Sequence, residues 1–167
     1  MNKQDFLEAS LKAFTRYYNV KTEDVQAPFC AEAEFISHNE QYVLLKSAKI
    51  ADIDSNEFIY FALSGKLTKE ELSSLDTTAW ERGLSKIHPG PGHRNSDVTL
   101  IIIADSIEAD AFKSVKKCRH SKSYKMTFWG YSHYKLVAID LSLGRLTTNY
   151  QGETLKKLFN NILKKFI

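Results

Sequence analysis

Residues 98–104 read Val98-Thr99-Leu100-Ile101-Ile102-Ile103-Ala104 and are the most hydrophobic segment of the chain. The run has the length of a strand, and no polar alternation marks a wet face. It predicts a central strand, and the remaining elements are read outward from it.

Immediately before it, His88-Pro89-Gly90-Pro91-Gly92-His93 stops any helix, because proline forbids easy continuation. The helix it stops starts at Thr68. Thr68 and Glu71 have the spacing of a capping box, and Leu67 and Leu72 flank it as a hydrophobic staple. Leu72, Leu75, Trp80, Leu84 and Ile87 point its apolar side inward. Further upstream, residues 58–63 are apolar throughout, as in a strand covered on both faces. Residues 31–37 alternate Ala31, Ala33 and Phe35 with Glu32 and Glu34, and residues 42–51 read as another strand. Short turns at 38–40 and at Asp54-Ser55-Asn56 make these three an antiparallel meander. A first helix over 5–18 carries Phe6, Leu7, Leu11, Phe14 and Tyr18, with Asn19 as its stop and a connector holding Pro28 after it.

Downstream, Asp105 or Ser106 is expected to cap a helix through about residue 118, with Phe112 and Val115 inward. Residues 124–131 and 135–141 read as strands around a loop with Ser132 and His133, and 146–148 as a short extended piece. The last helix, 153–166, has Leu155, Leu158, Phe159, Ile162, Leu163 and Phe166 on one stripe that must cover a sheet face or a partner. The order is α-β-β-β-α-β-α-β-β-(β)-α. It describes an α+β fold, a single domain over 1–167, with an antiparallel β-meander plus a β-α-β-β unit and helices packed on the sheet.

At 167 residues, 43% hydrophobic and 26% charged, the composition excludes disordered, collagen-like and disulfide-scaffold classes. Apolar runs are too short for a membrane span. The polar start shows no export signal, and Cys30 and Cys118 form no Cys-x-x-Cys pair, so a soluble protein of the reducing cytoplasm is expected.

Charge is unevenly distributed. Residues 1–112 hold 11 Lys+Arg against 18 Asp+Glu, while residues 113–167 hold 12 against 2, so a net −7 stands beside a net +10. The run Lys113, Lys116, Lys117, Arg119, Lys122, Lys125 contains no acid. Either the acidic part neutralises this run in the fold or across a dimer, or it serves a polyanion such as nucleic acid or an anionic membrane surface. In strand register, Tyr124, Met126 and Phe128 form a core face. Lys125, Thr127, Trp129 and Tyr131 form the other, with the composition of a base-stacking platform or a protein interface. The partner-binding candidates are therefore Lys113, Lys116, Lys117, Arg119, Lys122, Lys125, Trp129 and Tyr131.

Catalytic signals are sparse. His88 and His93 bracket the Pro-Gly loop, with Asp97 nearby, and are weak metal candidates, since further ligands would have to come from Cys118, His120 or His133. No metal or other cofactor is expected. There is no Gly-x-Ser-x-Gly elbow, no P-loop lysine and no Gly-x-Gly-x-x-Gly after a strand. The order α-β-β-β-α-β over the first 105 residues is similar to the core order of the PD-(D/E)xK nuclease fold. That resemblance implies an acid on the second strand and an acid-x-Lys on the third, holding a divalent cation. The third strand here reads Glu57-Phe58-Ile59-Tyr60-Phe61-Ala62-Leu63 and lacks that lysine, while Lys49, Asp52, Asp54 and Glu57 crowd the second hairpin, as in a degenerate or migrated site. The leading expectation is a non-catalytic module that binds a protein partner or a second copy of itself. The alternative is a nucleic-acid-associated protein using the basic C-terminal third.

Overall fold

The computed structural model describes residues 2–36, 54–91 and 93–166. Its elements are α1 (Lys3–Phe14), β1 (Asn19–Lys21), β2 (Ala31–Ile36), β3 (Asp54–Leu67), α2 (Lys69–Ser85), β4 (His93–Ile107) and α3 (Ala109–Ser114), then a 3-10 turn (Val115–Lys117), β5 (Ser121–Ser123), β6 (Tyr131–Asp140), β7 (Arg145–Thr148) and α4 (Glu153–Leu163). The strand expected over 42–51 and the turn before it lie outside the described residues.

The strands form one mixed sheet of order β1-β2-β3-β4-β6-β5, with β7 also on β6. The pairs β1–β2 and β2–β3 are antiparallel, as a meander requires. The centre differs: β3, β4 and β6 run parallel. The physical reason lies in the connections, because parallel neighbours need a crossover, and α2 and the α3 segment supply the two.

Parallel strands are covered on both faces, and the apolar run of β4 fits that demand. Val98, Leu100, Ile102 and Ala104, with Phe58, Tyr60, Leu136 and Ala138, face Leu72, Leu75 and Ala79 of α2 and Ala111 of α3. Ile101 and Ile103, with Ile59, Phe61, Val137 and Ile139, face Phe6, Leu7, Leu11 and Phe14 of α1 and Phe159, Ile162 and Leu163 of α4. The stripe of the last helix therefore packs on the sheet beside α1. The result is an α+β domain with helices on both faces of the sheet.

Local chemistry sets the details. Thr68 caps α2 by accepting from the Glu71 N–H at 3.1 Å, but the Glu71 carboxylate takes the Ser64 hydroxyl, 2.7 Å away. Gly83 lets α2 approach β4: a Cβ there would stand 2.4 Å from Val98 Cγ2. β4 runs on through Ile107, where a helix cap was expected at Asp105 or Ser106. Ser106 and Ile107 pair with Lys66 and Leu67 of β3, and the Glu108 N–H continues to Leu67 O at 3.0 Å, so sheet pairing outcompetes the cap.

The segment 124–131 is not a strand. Lys125, Met126 and Thr127 have φ of 44°, 51° and 76°, and Gly130 follows at 81°. This left-handed turn is closed by Tyr124 N–H to Gly130 O and Trp129 N–H to Tyr124 O, and it joins β5 to β6 as a hairpin. Met126 and Phe128 consequently leave the core and Tyr124 alone of that expected face is buried.

β5 pairs with the start of β6 and β7 with its end, leaving the edge between them for a side chain. Asn149, 1% exposed, fills it: its Oδ1 accepts from Leu136 N–H at 2.9 Å and from Gly152 N–H at 2.8 Å, while its Nδ2 donates to Tyr134 O and Cys118 O. A Cβ on Gly152 would meet Leu136 O at 2.4 Å. Gly83→Ala and Gly152→Ala should each destabilise by about 1–3 kcal/mol through overpacking. Urea unfolding checks this, and a stabilised Gly83→Ala would show that helix propensity, not contact with Val98, governs the position.

Candidate functional site

The basic run lies along α3, the 3-10 turn and β5, at the edge of the sheet. Lys113, Lys116, Lys117, Arg119, Lys122 and Lys125 are all exposed, and among the described residues none of the six forms an ion pair. Acids of the first part that form ion pairs with lysines find them outside the strip, as in Lys3–Asp105 (2.6 Å), Lys66–Glu108 (3.2 Å) and Lys86–Glu32 (3.5 Å). The charge split of the sequence therefore persists in space.

The turn 124–130 stands at the end of this strip. Met126 is 86% exposed and Phe128 83% exposed. Trp129 is half-buried against the α2-face core, and Lys125 Nζ sits 3.8 Å from its ring centroid, capping it by cation–π attraction. Trp129 and Tyr131 are thus not brought onto one open face with Lys125: Tyr131 is exposed but rests on His133, with ring centroids 4.6 Å apart. His93 anchors the turn. Its Nδ1 donates to the Trp129 carbonyl, and its Nε2 bonds the Ser96 hydroxyl at 2.7 Å. Both ring nitrogens of His93 are engaged within the protein, and His88 lies exposed on the preceding loop.

A second polar group emerges only from the sheet register. On the α1 face, Phe61 lies beside Ile101, and Ile101 and Ile103 lie beside Val137 and Ile139. Toward the strand starts the same face turns polar, with Glu57 paired to Asp97 and Thr99 to Lys135. Lys135 Nζ lies 3.6 Å from Glu57 Oε1 and 3.4 Å from Asp97 Oδ2, with these side chains 18%, 15% and 16% exposed. Thr99 donates to Glu57 Oε1 at 3.0 Å, Tyr18 to Glu57 Oε2 at 2.6 Å, and His133 N–H to Asp97 Oδ1 at 3.4 Å. Burial, then the Glu57 charge, holds the Tyr18 hydroxyl well above the usual tyrosine range. The lysine that the third strand lacks is thus supplied to Glu57 by β6. Lys49, Asp52 and the Asp54 side chain lie outside the described residues.

On the opposite face, His120 Nε2 bonds Asp76 Oδ2 at 2.9 Å, its ring stacks on Trp80 at 5.3 Å, and Tyr134 meets it edge-on at 4.9 Å. Burial, then the Asp76 charge, raises the Tyr134 hydroxyl well above its ordinary value and pushes the Cys118 thiol up to about 12, so that thiol stays protonated at neutral pH. Asp76 and Lys135 gave no sequence signal, and His120 only that of a further metal ligand, because each acquires its partner only through tertiary register.

These features define an α+β domain with a cationic edge, two partly buried polar networks and no helix among the described residues long and apolar enough to cross a membrane. No group of three or more His, Cys, Asp or Glu among the described residues is placed to hold a metal. Over residues 2–161 the chain matches the family described as a domain of unknown function, DUF8052, and it belongs to that family. No curated protein and no solved structure matches it.

Among the described residues Lys135 is the cation shared by these two half-buried carboxylates, and removing one partner of such a group leaves uncompensated charge. Lys135→Met should therefore cost about 3 kcal/mol in urea unfolding. Adding Glu57→Gln and Asp97→Asn to it should recover most of the loss. An unchanged midpoint for Lys135→Met would mean that water, not the lysine, neutralises the pair.

Proposed function

We propose that the chain is a non-catalytic interaction module that docks an acidic protein surface through its basic strip and the turn at its end. The observation that carries this reading is the display of Phe128 and Met126, more than four-fifths exposed, beside unpaired cations. Three non-glycine residues with positive φ hold that turn, at a cost of about 1–3 kcal/mol each. Exposed apolar side chains return nothing to the isolated fold, whereas an aromatic anchor and an adaptable methionine are what a partner's pocket takes up. The cations around them steer an acidic surface and set its orientation. Both cysteines are free thiols, which supports a reducing, cytoplasmic setting.

The same cations would serve a nucleic-acid backbone. Against that reading, Trp129 is half-buried under Lys125 instead of being open for base stacking. The two are separated by fluorescence anisotropy at about 0.15 M salt, the physiological range. One probe is a Glu-rich peptide with interspersed Leu and Trp; the others are single- and double-stranded oligonucleotides. The acidic peptide should bind, and Phe128→Ala should weaken it by about tenfold or more, a hot-spot loss of about 1.4 kcal/mol. Tighter oligonucleotide binding that is lost in Lys116→Gln/Lys117→Gln/Lys122→Gln but indifferent to Phe128→Ala would overturn the proposal in favour of nucleic acid.

A further inference from the structure

Between the start of α2 and the chain leaving the 3-10 turn lies a cleft of about 290 Å³, lined by Lys69, Ser73 and Asp76 on one side and Lys117, Arg119 and His120 on the other. Three permanent cations meet here, and none of them forms an ion pair among the described residues. The single carboxylate, on Asp76, is buried and already bonded to His120. That bond, the stacking on Trp80 and the edge of Tyr134 fix the imidazole from three directions. A second cleft, lined by Arg119, His133 and Tyr150 among others, also includes His120. His120 is therefore a held residue common to both clefts, and among the described residues its Nδ1 makes no hydrogen bond.

Such a site suits a compact, doubly charged oxyanion. Arg119 offers a planar fork that matches two oxygens at once, Lys69 and Lys117 add point charges from opposite walls, and the Ser73 hydroxyl is a further donor. A carboxylate carries one charge and two oxygens, and a phosphodiester one charge; a phosphate monoester carries about two charges on three terminal oxygens. Lys117 and Arg119 also belong to the exposed basic strip, so the cleft is continuous with the surface proposed for the partner. We propose that this cleft receives a phosphate monoester, presented as a phosphorylated side chain by the acidic protein that docks on the strip. This rests on the interaction-module reading and adds a recognition element to it.

The test uses the full chain and the Glu-rich peptide above, synthesised with one serine, one phosphoserine or one glutamate at the same position. Free O-phosphoserine and a single-stranded oligonucleotide are the other probes. Phosphoserine should tighten the peptide by about tenfold or more over serine, with glutamate giving little of that gain. Lys69→Gln, an exposed residue of the cleft outside the strip, should abolish the increment and leave the serine peptide unchanged. Arg119→Lys should also lose it, because the charge remains and the fork does not. Phe128→Ala should weaken all three peptides alike. Equal affinity for the serine and phosphoserine peptides would overturn the phosphate cleft while leaving the docking module standing. If every peptide fails but free O-phosphoserine binds and is lost in Lys69→Gln, the docking module falls and the monoester site stands. Oligonucleotide binding that outcompetes phosphoserine at the cleft would overturn the monoester assignment.

Discussion

The burial of β4 on both faces is the constraint on which the rest of the molecule depends. Every residue from 98 to 104 is inaccessible to solvent, so the strand must be flanked by strands on both edges and by helices on both sides. Parallel pairing with β3 and β6 follows, because the connections that cross over the sheet are the same segments that supply the covering helices. Gly83 follows from it too, since α2 reaches Val98 only where it carries no Cβ. At the far edge, β6 has to be completed by two short strands and the Asn149 amide.

The same constraint decides where charge goes. The middle of the sheet tolerates none, so polar groups collect at the strand starts and on the rim. At the strand starts, Lys135 stands between Glu57 and Asp97, so the three charges are held together across three strands. On the rim, the run 113–125 has no acid of its own, and the acid of the first part that reaches it, Asp76, bonds His120 and none of the run's lysines or Arg119 among the described residues. Burial thus separates an internally paired charge group from a strip of cations without acid partners among the described residues, and the strip faces solvent.

Much of this fold was legible in the sequence where the signal is local. The continuous apolar stretch 98–104, the Thr68 cap and the stripe of Phe159, Ile162 and Leu163 all form as their spacing implies. The 17-residue helix α2 between the apolar stretches of β3 and β4 was itself a crossover signal, and it argued for parallel pairing more strongly than the short turns argued for an antiparallel centre. What failed to show was non-local. The alternation of Tyr124, Met126 and Phe128 mimics a strand, yet the chain curls there because hairpin closure and the His93 bond to Trp129 hold three residues left-handed. Likewise the shared lysine of the two carboxylates and the acid that orients His120 come from strands and helices about 40 or more positions away.

The cationic strip stays unpaired while the internal lysine is held between two carboxylates. Brief acylation of the native protein with a lysine-directed ester, read residue by residue by mass spectrometry, measures this directly. Lys113, Lys116, Lys117, Lys122 and Lys125 should react at the rate of free amines, and Lys135 should react about tenfold or more slowly, as a buried and ion-paired amine does. Protection of the strip comparable to that of Lys135 would mean that acids of the chain, or of a second copy, cover it, and that the strip is not a free docking surface.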